Sequence, residues 1–440
     1  MKKLLFAALA AFGLWACSSQ EEPQLPVQGE DMPETEISHT RSSEEARLCA
    51  LDAYSRFYGV SRSTPKIKNV RTFSSSRGRT SENIDTAFYI VNLDNNDGYA
   101  VIAANRSIEP VLAITESGNI ESLDSVESPG AKIFFDELFS LNANPIFQGK
   151  PINDSLSTIR PNPWWTGSGD NGENPNPVTQ YKTEVTITHD DVEPRAPYRW
   201  GQGFPEGVYF KYEVAGCGNV AAMLLMSYFE VPRWLTFQKA GYKAVEWNLI
   251  KSHYQSGVPG ATSDICGGIN HPAHREISDF CYTIGILNDS EQNEDKTTST
   301  TLPKVRRTMV SFRTIGFNPH EITSGMPNAK NSLGTGIIYA GAKMKDGDGH
   351  AFIIDGYKST TTTTTTLKRE PGETGWVVVD RTSQTEVFNH INWGWYGIDN
   401  GYFALNVFCP ENGSEYDSGV KYPDNRDFSY NFKYFVVDRR

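Results

Sequence analysis

Beyond its first seventeen residues the chain has no apolar run long enough to cross a bilayer, so no later segment is read as a membrane span. Positive charge is scarce too: 41 Lys and Arg stand against 53 Asp and Glu, a formal net charge of −12. Phosphate contacts need clustered cations, so this balance argues against nucleic acid as a partner. Cysteine is sparse, with six in 440 residues. No paired C-x-x-C occurs, and no spacing suggests a disulfide-stapled scaffold. What is present is 38% hydrophobic and 12% aromatic residues, enough for real cores. The length suggests two or three domains.

The N-terminus carries targeting information. Lys2 and Lys3 precede a short apolar stretch, residues 4–15, which ends in Leu14-Trp15-Ala16-Cys17. This is a secretion signal, too short to span a bilayer as a stable helix. Its ending resembles a bacterial lipobox, which implies that Cys17 becomes a lipid-modified N-terminus. The protein is then expected to be exported and held to the outer membrane or cell surface by its acyl chains, with the C-terminal part free to leave after processing. Five cysteines remain: Cys49, Cys217, Cys266, Cys281 and Cys409. An odd number in an exported chain leaves at least one unpaired or bonded outside the chain, and so a candidate reactive thiol.

Composition and periodicity divide the rest. Residues 18–42 are polar and aperiodic, a flexible tether. Within 43–160, residues 43–57 have helical spacing, and strands at 87–93 and 99–104 flank Asp94-Asn95-Asn96-Asp97-Gly98, a hairpin signal. A third strand follows at 111–114 and a helix at 131–141, while 72–82 reads as a loop. Repeated prolines and glycines begin a linker over 161–192, with Arg160 and Lys182 as processing points. From 193 to 440, helices at 220–229, 273–284 and 302–312 are followed by strands, an α+β arrangement. The threonine tract 360–366 reads as a hairpin extension.

Cys217 lies in Tyr212-Glu213-Val214-Ala215-Gly216-Cys217-Gly218-Asn219, ahead of an apolar run stopped by Pro232. That puts it at a helix N-terminus, where unpaired backbone N–H groups favour a thiolate. Gly216 fits a tight turn that lets a substrate backbone approach the sulfur. His350 opens a strand after Asp346-Gly347-Asp348-Gly349, where a catalytic base facing a cleft is expected. Asn392 ends a later strand and is followed by Trp393-Gly394-Trp395; its carbonyl could fix the imidazole, with a Trp shielding that bond. Gln202 could aim an N–H at a developing oxyanion beside the Cys217 N–H.

The order Gln, Cys, His, Asn is that of papain-like enzymes. The segments Trp200-Gly201-Gln202, Ala215-Gly216-Cys217, Gly349-His350-Ala351-Phe352-Ile353-Ile354-Asp355-Gly356-Tyr357 and Asn392-Trp393-Gly394-Trp395, with Gly401-Tyr402-Phe403, resemble the streptopain family of papain-like cysteine peptidases. The hairpin at 88–104 with Pro110-Val111-Leu112 resembles that family's inhibitory propeptide domain. The resemblance implies a zymogen whose residues 43–160 block the cleft of the catalytic domain, 193–440, until removed, often by self-cleavage. It implies Cys217 as nucleophile, His350 as base and then acid, Gln202 as oxyanion donor, and Asn392 or Trp393 as the group orienting His350. Gly216, Gly349 and Trp395 would border the substrate. The expected partners are a protein or peptide substrate, the chain's own propeptide and a membrane, with no cofactor and a reduced thiol.

Two departures bear on this. Gly218-Asn219 stands where the family has a small apolar residue, which bears on the helix start. The glycine-rich loop near the cleft is replaced by acidic, threonine-rich 291–300. Rival readings are a zinc site from Cys266, His271, His274 and Cys281, a catalytically dead surface lipoprotein binding peptides or a host protein, and a thiol acyltransferase. Intact Cys217, His350 and Gln202 argue against a dead relative, and the propeptide-like segment favours a protease over a transferase.

Overall fold

Ser42 starts α1 (Ser43–Tyr58), the first helix among the described residues, with a reciprocal cap. Its Oγ accepts the Glu45 N–H at 3.3 Å while the Glu45 carboxylate accepts the Ser42 N–H at 2.7 Å, worth about 1 kcal/mol. Helical spacing then turns Ala46, Ala50, Ala53, Tyr54 and Phe57 inward. The computed structural model describes residues 40–59, 65–74, 86–106, 108–142, 179–196, 198–255, 268–334, 336–344, 349–408 and 430–440. Cys17, Arg160, Cys266 and Cys409 lie outside these.

The N-terminal part continues with β1 (Ile67–Ser74), β2 (Thr86–Leu93), β3 (Tyr99–Ala103), β4 (Val111–Thr115) and α2 (Pro129–Asn142). Strand β1 occupies the start of the stretch expected to be a loop; it pairs with β2 from Ile67 to Ser74. Beyond the connection come β5 (Gln180–Val192), α3 (Cys217–Phe229), the hairpin β6 (Trp234–Phe237) and β7 (Gly241–Ala244), α4 (Trp247–Gln255) and α5 (Pro272–Leu287). A two-stranded turn, β8 (Glu291–Gln292) with β9 (Thr298–Ser299), precedes α6 (Leu302–Ser311), β10 (Phe317–Pro319) and β11 (Thr323–Ser324). The chain ends with β12 (Gly336–Met344), β13 (Gly349–Arg369), β14 (Val377–Asn392), β15 (Gly401–Ala404), α7 (Leu405–Phe408) and β16 (Tyr430–Arg439).

One sheet runs through both parts, in the order β1-β2-β3-β4-β15-β14-β13-β12-β16-β10, with β11 on β16 and β5 on β13. The join is the antiparallel pair β4–β15, with Gly401 opposite Thr115, Tyr402 opposite Ile114 and Phe403 opposite Ala113. The alternation of β13 divides its side chains between two cores. Phe352 and Ile354 join a core shared with α1 and α2, whereas Ile353 joins the core of α3, α5 and α6. Helices on one face and the N-terminal domain against the other give the α+β architecture the sequence implied.

Residues 180–192, expected within the linker, form strand β5 along Tyr357–Arg369 of β13. Lys182 is therefore held inside a strand, opposite Leu367 and ion-paired with Glu184 at 2.7 Å, rather than offered as an open cleavage point. A run of β-branched residues explains this: Val185, Thr186, Ile187 and Thr188 suit a pleated ladder. The threonine tract is the matching stretch of β13, where Thr361 meets Thr385 hydroxyl to hydroxyl at 2.9 Å and Thr363 meets Ser383 at 2.9 Å.

Candidate active site

Gly216 caps α3 at φ 83°, a left-handed conformation that glycine adopts freely. A Cβ at that position would overlap the Thr298 carbonyl. The glycine expected to admit a substrate thus also admits the chain's own β9. Asn219 secures the helix start: its Nδ2 donates to the Ala215 carbonyl at 2.8 Å and its Oδ1 accepts from Asn288 Nδ2, also at 2.8 Å. The polar residue that departs from the family pattern therefore strengthens the turn that carries Cys217. The acidic loop at 291–300 braces the same turn, with Thr298 Oγ1 donating to the Val214 carbonyl at 2.6 Å.

His350, on the first turn of β13, pairs with Ala342 of β12 and is buried. Its Nε2 lies 2.7 Å from the Trp393 carbonyl. A carbonyl can only accept, so Nε2 carries a hydrogen and Nδ1 is the nitrogen left for the sulfur. Burial by itself would raise the Cys217 thiol. The hydrogen bond and charge of His350, with the Ala351 and Gly218 backbone N–H groups, outweigh it and hold the thiol below its ordinary range. Burial likewise opposes a charged His350, but the Cys217 partner and the Trp393 carbonyl raise its pKa. Both shifts favour the thiolate–imidazolium pair over the neutral one.

Asn392 is close to this pair without serving it. Its Nδ2 donates to the carbonyls of Ala196 at 3.1 Å and Tyr198 at 2.9 Å, and its Oδ1 accepts the Gly394 N–H at 3.0 Å. Of the two residues expected to orient His350, Trp393 makes the contact, through its main chain. Asn392 instead pins the segment leading to Trp200-Gly201-Gln202. Gln202 is fixed to the nucleophile's own turn, since its carbonyl accepts the Ala215 N–H at 2.7 Å. The space beside Gly349 is taken by the Ala342 carbonyl of β12, and Trp395 packs at the edge of the larger core.

Of the suggested zinc ligands, Cys266 lies outside the described residues, and the other three have structural places. His271 caps α5, His274 is buried edge-on to Phe204 at 4.8 Å between centroids, and Cys281 is a buried free thiol whose pKa burial raises. Among the described residues no group of three or more His, Cys, Asp or Glu could hold a metal.

Two residues at the site had no role assigned from the sequence. Tyr339 is buried, and its hydroxyl donates to the Gly218 carbonyl at 3.2 Å. Asp355, five residues after His350 in the same motif, accepts the Arg195 and Ala196 N–H groups at 3.1 and 2.7 Å and holds His390 Nδ1 at 2.6 Å. Each lies far along the chain from what it touches, so no local pattern could reveal the contact.

The N-terminal domain reaches this site from behind. At the start of α2, Gly130 lies so close to the Trp393 indole that a Cβ there would overlap the ring. Phe134 follows, at 5.0 Å from Phe403 and 5.8 Å from Phe408.

Two protein families match the chain: residues 195–403 match the Peptidase C10 family, and residues 42–140 match the Spi protease inhibitor. The thiol protease/hemagglutinin PrtT of Porphyromonas gingivalis is 20% identical over 367 residues, 76% of this chain. The chain spans only 35% of that relative's length. A solved structure of a mutant fragment of Prevotella intermedia prointerpain A aligns with a TM-score of 0.47 at 14% identity, over 83% of this chain and 98% of that one. Residues 195–403 thus form a domain of the Peptidase C10 (streptopain) family of cysteine peptidases, and residues 42–140 an Spi-type inhibitor domain ahead of it.

Proposed function

We propose that the chain is a cysteine endopeptidase made as a zymogen, with Cys217 as nucleophile and His350 as its acid and base. The observation that carries this is the pairing of Cys217, at the start of α3, with His350, whose imidazole is held by the Trp393 carbonyl. The thiolate attacks a peptide carbonyl, forming a C–S bond, and the oxyanion is met by the Cys217 N–H and the Gln202 side chain. His350 gives its Nδ1 proton to the departing amine as the C–N bond breaks, leaving a thioester. Water then adds, with His350 taking its proton; the C–S bond breaks, the acid is released and the thiol is restored. The chemistry needs a reduced thiol and no cofactor.

The inhibitor domain supports latency, because β4 extends the catalytic sheet and α2 rests on Trp393. Activation would then require β4 to leave β15, after cleavage in the connection between α2 and β5. We also propose that Cys17 is lipid-modified and anchors the exported precursor; this rests on the sequence of residues 2–17 alone.

Incubating purified precursor, with mass spectrometry of the fragments, tests the central proposal. Wild type should process and react with an epoxysuccinyl peptide. Cys217→Ala should do neither, and maturation of the pure mutant by itself would remove self-processing. Metabolic labelling with a fatty acid, lost in Cys17→Ala, tests the anchor.

A further inference from the structure

Tyr396 has no role in the motifs, yet it stands in the left-handed region at φ 56°, a conformation that a bulky side chain rarely adopts. Such outliers persist where the surroundings fix them, and they gather at functional sites. Here the surroundings are Trp200-Gly201-Gln202-Gly203. The Tyr396 N–H donates to the Trp200 carbonyl at 3.0 Å, on one side of Gln202. On the other side the Gly203 N–H donates to the Tyr396 hydroxyl at 2.6 Å. Between them the phenol ring covers Gly201 so closely that a Cβ on Gly201 would overlap it.

The contacts form a bracket. Tyr396 grips the residue before Gly201 and the residue after Gln202, while the Ala215 N–H holds the Gln202 carbonyl from the side of Cys217. The backbone of Gln202 is thereby fixed from two directions, leaving its side-chain torsions as its main freedom. Burial raises the pKa of the Tyr396 hydroxyl, so it stays protonated and is free to accept the Gly203 N–H across the working pH range.

We propose that Tyr396 is a positioning residue that acts through Gln202, fixing the oxyanion donor against the nucleophile's turn. The inference rests on the reading of Gln202 as that donor. An oxyanion donor contributes most when its aim is set before the reaction begins, so loss of the bracket should appear in the transition state rather than in substrate binding.

The test is a double-mutant cycle on processed enzyme, with active sites counted by an epoxysuccinyl peptide. Tyr396→Phe keeps the ring and removes the hydroxyl. It should lower kcat about tenfold, in the range expected for misplacing a group by a fraction of an ångström, with KM within about twofold. Affinity for a peptide aldehyde, whose adduct places its oxygen at the oxyanion position, should fall in step. Alkylation of Cys217 by iodoacetamide, which needs no oxyanion donor, should keep its wild-type rate.

In a Gln202→Ala background the same substitution should cost nothing further. Gly203→Ala approaches the contact from its other partner, since the added methyl displaces the Tyr396 hydroxyl, and it should reproduce the loss even if Tyr396→Phe folds poorly. A multiplicative loss on top of an impaired Gln202→Ala, or a fall in alkylation matching the fall in kcat, would overturn the inference alone. Wild-type turnover by Gln202→Ala would remove the donor reading, and the inference with it.

Discussion

The imidazole of His350 is oriented by the carbonyl of Trp393, 2.7 Å from Nε2, and not by the amide of its neighbour Asn392, which is occupied by Ala196, Tyr198 and Gly394. A main-chain acceptor cannot be removed by substitution, and this separates the two residues experimentally. Asn392→Ala should leave two buried carbonyls short of a donor, at about 1–3 kcal/mol each. Thermal unfolding should therefore show a large loss, while kcat of the surviving folded enzyme falls by less than about tenfold. A fall approaching that of a general-base mutant would assign the orienting role to Asn392 after all.

His350→Ala should abolish turnover, by about a thousandfold or more, with the circular dichroism spectrum of the folded domain retained. A collapsed spectrum would make the histidine a core residue.

The shifts of Cys217 and His350 set a pH profile. The thiol lies below its ordinary range, so kcat/KM should rise to its plateau at a pH below the usual value of about 8.5. The imidazolium, raised above its ordinary range, keeps its proton above about pH 6.5 and is lost only as pH rises through the raised value. Ultraviolet titration of the thiolate should show its midpoint moving upward in His350→Ala; an unmoved midpoint would mean that the helix terminus alone activates the sulfur.

Gly130 gives access to the inhibitor domain without touching the catalytic groups. Gly130→Leu must push α2 off the Trp393 indole. The precursor should lose about 1–3 kcal/mol, as overpacked sites do, and mature faster, while the enzyme freed of its inhibitor domain keeps wild-type kcat/KM. Unchanged precursor melting would show that this contact does not hold the domain in place.

Asp399 lies in the same junction, facing the Tyr99 hydroxyl. Burial pushes its carboxyl up to about 7, Tyr99 lowers it in part, and Glu127 adds to the rise. An unfolded Asp titrates near about 4, so the contribution of this group is whole below that pH and is lost as pH rises through about 7. Precursor melting should drop between pH 5 and pH 8, and Asp399→Asn should flatten that drop. Equal slopes in both proteins would exclude Asp399 as the source.

What the sequence determined is the chemistry and most of the elements. A cysteine placed by Gly216 ahead of an apolar helix, a histidine opening a strand, and the motif around Trp393 are local signals, because caps, turns and periodicity act over a few residues. The helices α1, α3, α5 and α6 and the strands around His350 were legible for the same reason. Strand β5, read as linker, was not, because its exposed β-branched run acquires meaning only beside β13.

The tertiary structure decided which partner each polar atom takes. Nothing in the order of residues distinguishes the Asn392 amide from the Trp393 carbonyl, shows Tyr396 bracketing Gln202, or makes β4 of one domain the neighbour of β15 in another. Those choices depend on distances between segments tens or hundreds of residues apart. They are set when burial forces every polar group in a shared core to find a partner.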